Sequence, residues 1–409
     1  MAGKYPTIGD LMAAVGCTRY PARWADIYES VMADFDKNGG TKLCDPDFYR
    51  DLHARYEALP CYLDVICKAA VEIGKREELA RLLALVGASQ VDRANAWADV
   101  KQFTAPMPPA GTRDFAVDML TGLATISTLA YAHENMAKRG IPREIILGTT
   151  TMLEGGIREF AKRHEGAYGY HLMWWNQRAI DGILFRIGRL EIELCGYDSS
   201  SVVFEDSEGN TVALANGTTF HRDGAVLGAA GYEDKEGSFT ASLTETGDAF
   251  IGHPYDAIGR CSPEPITLPK SEWKKRLSSD DKVIALHIPP TGGAFTPDAI
   301  DQTLALTKEF VATYFPEWNW RGFTCDSWLL DPQLEELLGE DSNIVKFGRR
   351  FSLVCNESAG KSPFYFVFIR PNEEQVDPAT LPENTRLERA LKAHYLAGNF
   401  IYDTFGYFL

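Results

Sequence analysis

A histidine, a carboxylate and a glycine-rich loop lie close together in the last third of the chain, and each has a chemistry of its own. His287 ends a near-continuous apolar run, Val283 to Ile288, of strand length. Imidazole titrates near neutrality, so a histidine at a strand end beside a loop is the candidate general base. Alternation places it on one face with Val283 and Ala285. Asp326 lies in the next strand-like run, Gly322 to Leu330, on a face shared with Thr324 and Trp328. A carboxylate in so apolar a run must find partners or serve a function, which makes Asp326 the second catalytic candidate. Between the runs, Pro289-Pro290-Thr291-Gly292-Gly293 breaks the first strand. Thr291, Gly292, Gly293 and Ala294 then lead into a helix whose first turn offers N–H donors and a positive dipole end, the arrangement that receives a phosphate. Asp298 and Asp301 in that helix oppose an anion there. Trp328 is the candidate floor of a substrate pocket, and Asn343 a candidate substrate contact ahead of a further strand. Each residue also has a plainer reading: a strand-capping histidine, a paired aspartate, a core tryptophan, a turn asparagine.

Other groupings are weaker. Cys325 points away from Asp326, and nothing local lowers its pKa, so a cysteine hydrolase pairing with His287 is a third-ranked reading. Asp34, Asp36, Asn38 and Asp45 are spaced like an EF-hand calcium loop, but the twelfth position is Asp rather than Glu and Pro46 marks Asp45 as a helix cap. A helix-to-helix turn is the better reading, and no metal is expected. The eight cysteines form no CxxC pair and have no zinc spacing. The net charge of −16 argues against nucleic acid or an anionic membrane surface as the main partner and favours a small molecule. The N-terminus lacks a secretory signal pattern, apolar stretches such as Leu82 to Val86 are short, and a cytoplasmic location with reduced thiols is expected. Oligomeric state is not encoded in any pattern here.

With 409 residues, two domains are the natural expectation. Residues 1–168 carry helical periodicity: Trp24, Ile27, Tyr28, Val31 and Phe35 form one stripe, and Leu79, Leu82, Leu83 and Val86 another. Asp114 to Arg139 and Pro142 to Arg163 read as two long helices. After Gly166 the texture turns to short β-rich runs, so residues 169–409 form the second domain. Strands are expected at 189–194, 201–205, 211–215 and 218–222, with Asp223-Gly224 as a type I′ hairpin turn. Further on, the order is strand, Gly/Pro loop, helix from Thr296 to Tyr314, strand, short helix to Leu338, and two strands at 345–354 and 364–369. Arg186, Arg189, Glu191 and Glu193 read as a solvated edge. The fold class is α+β: an all-helical domain followed by a mixed sheet flanked by helices.

The order around residues 282–338 matches the acyl-CoA half of the GNAT fold. His287-Ile288-Pro289, Tyr314-Phe315-Pro316-Glu317, Cys325-Asp326-Ser327-Trp328-Leu329-Leu330-Asp331-Pro332 and Ser342-Asn343-Ile344 resemble a bacterial family of acyltransferases with a helical N-terminal acyltransferase domain and a GNAT-like C-terminal domain. Leu381-Pro382-Glu383-Asn384-Thr385 and Gly406-Tyr407 fit the same family. The resemblance implies transfer of an acyl group from acyl-CoA to an amine, with no metal. Two departures stand out: the Q/R-x-x-G-x-G/A pyrophosphate signature is missing, and Pro332 to Leu338 contains no tyrosine to protonate a departing thiolate. A non-catalytic small-molecule binding protein on the same scaffold is therefore the alternative.

Overall fold

Helix stripes and caps build the first unit as the periodicity predicts. The computed structural model describes residues 5–106, 108, 112–370 and 376–409, and the chain divides into two units, Met1–Arg186 and Ile187–Leu409. The division falls later than the change in sequence texture at 168/169, because one more helix packs on the helices before it. The helices of the first unit are α1 (Ile8–Val15), α2 (Trp24–Asn38), α3 (Pro46–Tyr56), α4 (Leu63–Gly74), α5 (Glu77–Val91), α6 (Ala96–Gln102), α7 (Phe115–Ile126), α8 (Leu129–Lys138), α9 (Arg143–Thr150), α10 (Met152–Arg163) and α11 (Met173–Ile180). Thr7 and Asp10 close a capping box on α1, and Asp114 caps α7 by accepting from the Ala116 and Val117 amides. Leu79, Leu82, Leu83 and Val86 are all buried.

The two long helices expected from the sequence are each broken once. Ser127 and Thr128 hydroxyls donate back to the Ala124 and Thr125 carbonyls at 2.7 Å each, and Thr151 donates to Leu147 O at 2.8 Å. Such back-bonding competes with the helical ladder and bends it at those points. The stretch Phe115–Lys138 is nonetheless long and apolar enough to cross a membrane, more than the sequence reading allowed; most of it is buried inside the protein, as a core helix would be. The calcium-like loop is a turn: Gly39 ends α2 in the left-handed region, Asp45 caps α3, and Asp36 pairs with Arg81 at 2.5 Å.

In the second unit the strands are β1 (Leu184–Ile187, across the division), β2 (Leu190–Gly196), β3 (Val202–Glu205), β4 (Thr211–Ala215), β5 (Thr219–Phe220), β6 (Phe239–Thr240), β7 (Thr244–Glu245), β8 (Ala249–Pro254), β9 (Ile266–Pro269), β10 (Lys274–Leu277), β11 (Lys282–His287), β12 (Trp320–Ser327), β13 (Ser352–Glu357) and β14 (Asp403–Phe408). The main sheet has the order β1-β2-β11-β12-β14-β13, and β11 and β12 are parallel while β2 and β14 flank them antiparallel. A second sheet, β10-β3-β4-β8-β7 with β9 on β8, packs against one of its faces through Tyr197, Val203, Ala213, Leu277, Val283 and Tyr407.

The helices of this unit are α12 (Pro297–Tyr314), α13 (Gln333–Leu338), α14 (Asn343–Gly348), α15 (Ser362–Phe366) and α16 (Arg386–Leu396). Thr296 caps α12 with its hydroxyl accepting from Ala299 N. The helix sits tight against the sheet where Gly188, at φ 53°, leaves room for Thr303, whose hydroxyl would lie 2.5 Å from a Cβ at that position. Two strand expectations are corrected. Residues 345–348 are helical and the strand begins only at Ser352, residues 364–366 belong to α15, and the apolar residues there fill a helical core rather than alternate in a sheet. The Asp223-Gly224 turn has only Gly224 at positive φ, so it is not type I′.

Candidate active site at the parting of two strands

The parallel pair β11–β12 does not run the length of its strands. Its register is Lys282↔Trp320, then, after a one-residue shift, Ile284↔Phe323 and Ala285↔Thr324, where it ends. Beyond that point β11 stays on β2 as far as His287↔Glu191, and β12 stays on β14 as far as Ser327↔Thr404. The sheet therefore opens at the carboxyl ends of two parallel strands, where open α/β sheets place their ligands. Local sequence causes it. Pro289 and Pro290 have no N–H to continue a ladder after β11. Ser327 turns β12 into a three-residue 3₁₀ helix, its hydroxyl accepting from Leu329 N at 3.2 Å.

Because Ala285 and Thr324 stand abreast, their side chains share a face, and so do residues two further along each strand. His287 and Asp326 are those residues. They flank the opening on the same face, a placement that follows from the register of the two strands. On β2, Glu191 lies abreast of His287 and Glu193 abreast of Ala285. His287 Nε2 is 3.0 Å from Glu193 Oε2, with the two side chains 25% and 12% exposed. Glu191 is 8% exposed. The reading of this charged stretch as a solvated edge is corrected: the strand is buried, with leucines and isoleucine (Leu190, Ile192, Leu194) on its other face. The signal was present, since a strand with leucines and isoleucine on one face and two glutamates on the other suits a lined site as well as an edge.

Arg189, also buried, fixes the loop that follows β11. Its Nη1 donates to the carbonyls of Pro289 (2.9 Å) and Thr291 (3.2 Å), and its guanidinium lies 5.2 Å from the centre of the Phe295 ring. With the carbonyls drawn to Arg189, the loop reverses through Gly292 (φ 110°) and Gly293 (φ 88°), conformations that favour glycine. Gly292, Gly293 and Ala294 are exposed, and among the described residues their amides donate to no protein acceptor. Thr291 is half-buried at the root of the same loop. These are donors of the kind that receive an anion, in front of the α12 N-terminus.

The other sequence candidates fall elsewhere. Trp328 is not on the strand; it is buried in a core cluster with Leu334, Leu338, Val345 and Phe364. Asn343 is exposed and is the first residue of α14, not a residue ahead of a strand. Asp326 is exposed at its lip of the opening. Cys325 is buried, and burial with the Asp326 charge beside it pushes its thiol strongly up. The cysteine nucleophile reading is thereby removed. No group of three or more metal-ligating side chains occurs among the described residues.

An antiparallel-parallel sheet opened between its two parallel strands, with a glycine loop and a helix after the first, is a GNAT-like arrangement. Residues 184–408 match the family of the GNAT-like C-terminal domain, and the chain belongs to that family. Three solved structures share its fold over 98% of both chains. One is a mutant acyltransferase with octanoyl-CoA (22% identity, TM-score 0.62), one an acyltransferase with decanoyl-CoA and teicoplanin (23%, 0.62), and one an acyltransferase with CoA and 10C-teicoplanin (23%, 0.61). No functionally curated protein matches the chain.

Proposed function

We propose that the protein is an N-acyltransferase that moves an acyl group from acyl-CoA to the amine of a small-molecule acceptor. The observation that carries this reading is the parting of β11 and β12 beneath a loop whose glycine amides face outward. An extended thioester arm fits such an opening, and the amides of Gly292, Gly293 and Ala294, with Thr291 beside them, suit the diphosphate. The octanoyl-CoA, decanoyl-CoA and CoA bound in the three similar structures support the same reading. In this proposal the missing glutamine/arginine signature is replaced by Arg189, which orients the loop from behind rather than through a signature side chain.

The chemistry asks for a base, and His287 supplies it. Glu193, its Oε2 3.0 Å from His287 Nε2, orients the ring, and its carboxylate stabilises the imidazolium that forms when the histidine takes a proton. The amine nitrogen attacks the thioester carbonyl carbon, the C–S bond breaks, and CoA leaves as thiolate. The ammonium proton passes to His287 and from there to the thiolate sulfur, so no tyrosine is required on α13. Asp326, on the opposite lip, is placed to hold the acceptor ammonium before it gives its first proton to solvent water and becomes the neutral, attacking amine. We place the reaction in the cytoplasm, where acyl-CoA is available; among the described residues the cysteines form no disulfide.

Calorimetric titration of the full chain with CoA, acetyl-CoA, octanoyl-CoA and decanoyl-CoA tests the reading. The expected result is saturable binding, with affinity dependent on the acyl length. Absence of heat for all four at about 1 mM ligand would reject it, since that corresponds to less than roughly 4 kcal/mol of binding free energy.

A further inference from the structure

Two threonines, Thr303 and Thr307, lie buried one turn apart on α12, on the face where a helix packed against its core ordinarily carries aliphatic side chains. Threonine is a poor helix former, and in mid-helix its hydroxyl is satisfied by the carbonyl one turn back. Both residues do this: Thr303 donates to Ala299 O at 2.7 Å, and Thr307 to Thr303 O at 2.8 Å. Thr303 does more. Its hydroxyl oxygen also accepts from the Arg189 amide at 2.9 Å, whereas the Thr307 hydroxyl has no partner outside α12 among the described residues. Gly188 admits that second bond, since a Cβ on it would stand 2.5 Å from the Thr303 hydroxyl.

Arg189 carries the anchor from α12 to the loop. Its amide is fixed by Thr303, and its guanidinium holds the Pro289 and Thr291 carbonyls at 2.9 and 3.2 Å. A trans peptide points its C=O and N–H in opposite directions, so tying Thr291 O to Arg189 aims the Gly292 N–H of the same unit away from it, toward the exposed side of the loop. Thr303 lies six residues beyond Pro297, the first residue of α12, which is about 9 Å along the axis. The loop amides and the helix N-terminus are thereby held to one buried hydroxyl. Without it, the Arg189 N–H is left without its acceptor, and an unsatisfied buried donor costs more than the bond itself contributes. The turn must then shift to find another partner, and the guanidinium and both loop carbonyls move with it.

We infer that Thr303 is a positioning residue for the CoA diphosphate: it does not touch the ligand, and through Arg189 it sets the direction of the loop amides. This rests on the transferase reading and adds to it a residue that acts from behind the site. The test is calorimetric titration of CoA into the full chain and its variants. Thr303→Val keeps the shape and removes the hydroxyl, and it binds CoA about tenfold more weakly. Thr303→Ser keeps the hydroxyl and stays within about twofold of wild type. Thr307→Val removes the matching buried hydroxyl one turn on and leaves CoA affinity unchanged, which separates positioning from a general loosening of α12. Gly188→Ala reaches the same bond from the other side, by driving a Cβ into the Thr303 hydroxyl, and weakens CoA about tenfold as well, so the inference stays testable should Thr303→Val fail to fold. Thermal unfolding of each variant checks that it is folded. Unchanged affinity in Thr303→Val, an equal loss in Thr307→Val, or no recovery in Thr303→Ser overturns the inference while wild-type binding of CoA keeps the transferase reading. Absence of binding by the wild-type chain overturns both.

Discussion

The two strands that part at the site end at the same level of one sheet, yet they leave it in opposite ways. After His287 the chain has two prolines and then exposed glycine backbone, tied down from behind by Arg189. After Ser327 it turns at once into a 3₁₀ helix whose Trp328 is buried among leucines, valine and phenylalanine. There Asp331 accepts from Tyr402 N (2.7 Å) and Gln333 N (2.9 Å), so its carboxylate closes the turn. The β11 end keeps polar groups facing outward, whereas the β12 end satisfies its own and packs. Substitutions in the segments that follow the two strands should therefore register in different measurements: stability after Ser327, binding and turnover in His287 and the loop after it.

The largest expected effect is on the packed side. Trp328→Ala removes a buried aromatic and should cost about 3–5 kcal/mol in denaturant unfolding, while transfer per folded molecule stays near wild type. Lost transfer with stability intact would return Trp328 to the site and undo the comparison. On the open side, His287→Ala should lower turnover at least ~10²-fold, about 2.7 kcal/mol of barrier, with the unfolding midpoint little moved. Unchanged turnover removes His287 from the chemistry. A smaller and sharper contrast pairs two glycines that both sit at positive φ with nothing near a would-be Cβ, Gly293 (φ 88°) and Gly398 (φ 82°). Valine strains either one, by about 1–2 kcal/mol. Only Gly293→Val should weaken CoA, by about tenfold in calorimetry, because only there does the backbone present amides to a ligand.

The β11 end was readable in advance and the β12 end was not, for a physical reason. Val283 to His287 has strand period, strand length and a proline stop, and Thr296-Pro297 is a local cap signal, so the strand, loop and helix follow from neighbours in sequence. Phe347, Phe364 and Phe368 belong to apolar runs too short for period alone to separate strand from buried helix, and they proved helical at the first two positions. The central partner of β12 is β14, at the far end of the chain, a pairing no local pattern encodes. Glu193 was visible as a residue but not as the partner of His287, since their contact joins positions 94 apart. The helical unit shows the same division: its stripes were legible, whereas its breaks depend on which hydroxyls turn back onto the helix.

The smallest prediction addresses the objection the sequence itself raises, acidic residues in the first turns of α12. Asp301 is paired with Arg350 at 2.5 Å and so is partly neutralised. Asp298 is exposed, one residue past Pro297, and makes no ion pair among the described residues. If the amides of Gly292 to Ala294 receive a diphosphate, the Asp298 charge opposes it at the same helix end. A charge there is worth roughly 0.3–1 kcal/mol at low ionic strength and is screened by salt. Asp298→Asn should therefore tighten CoA by about two- to fivefold at low salt, with the gain shrinking as salt is added. Titrations at two ionic strengths separate this from a change in loop structure, which salt would not erase. A variant that binds CoA no better at low salt would mean that the diphosphate lies away from the helix end, and the outward-facing amides would then need another ligand to account for them.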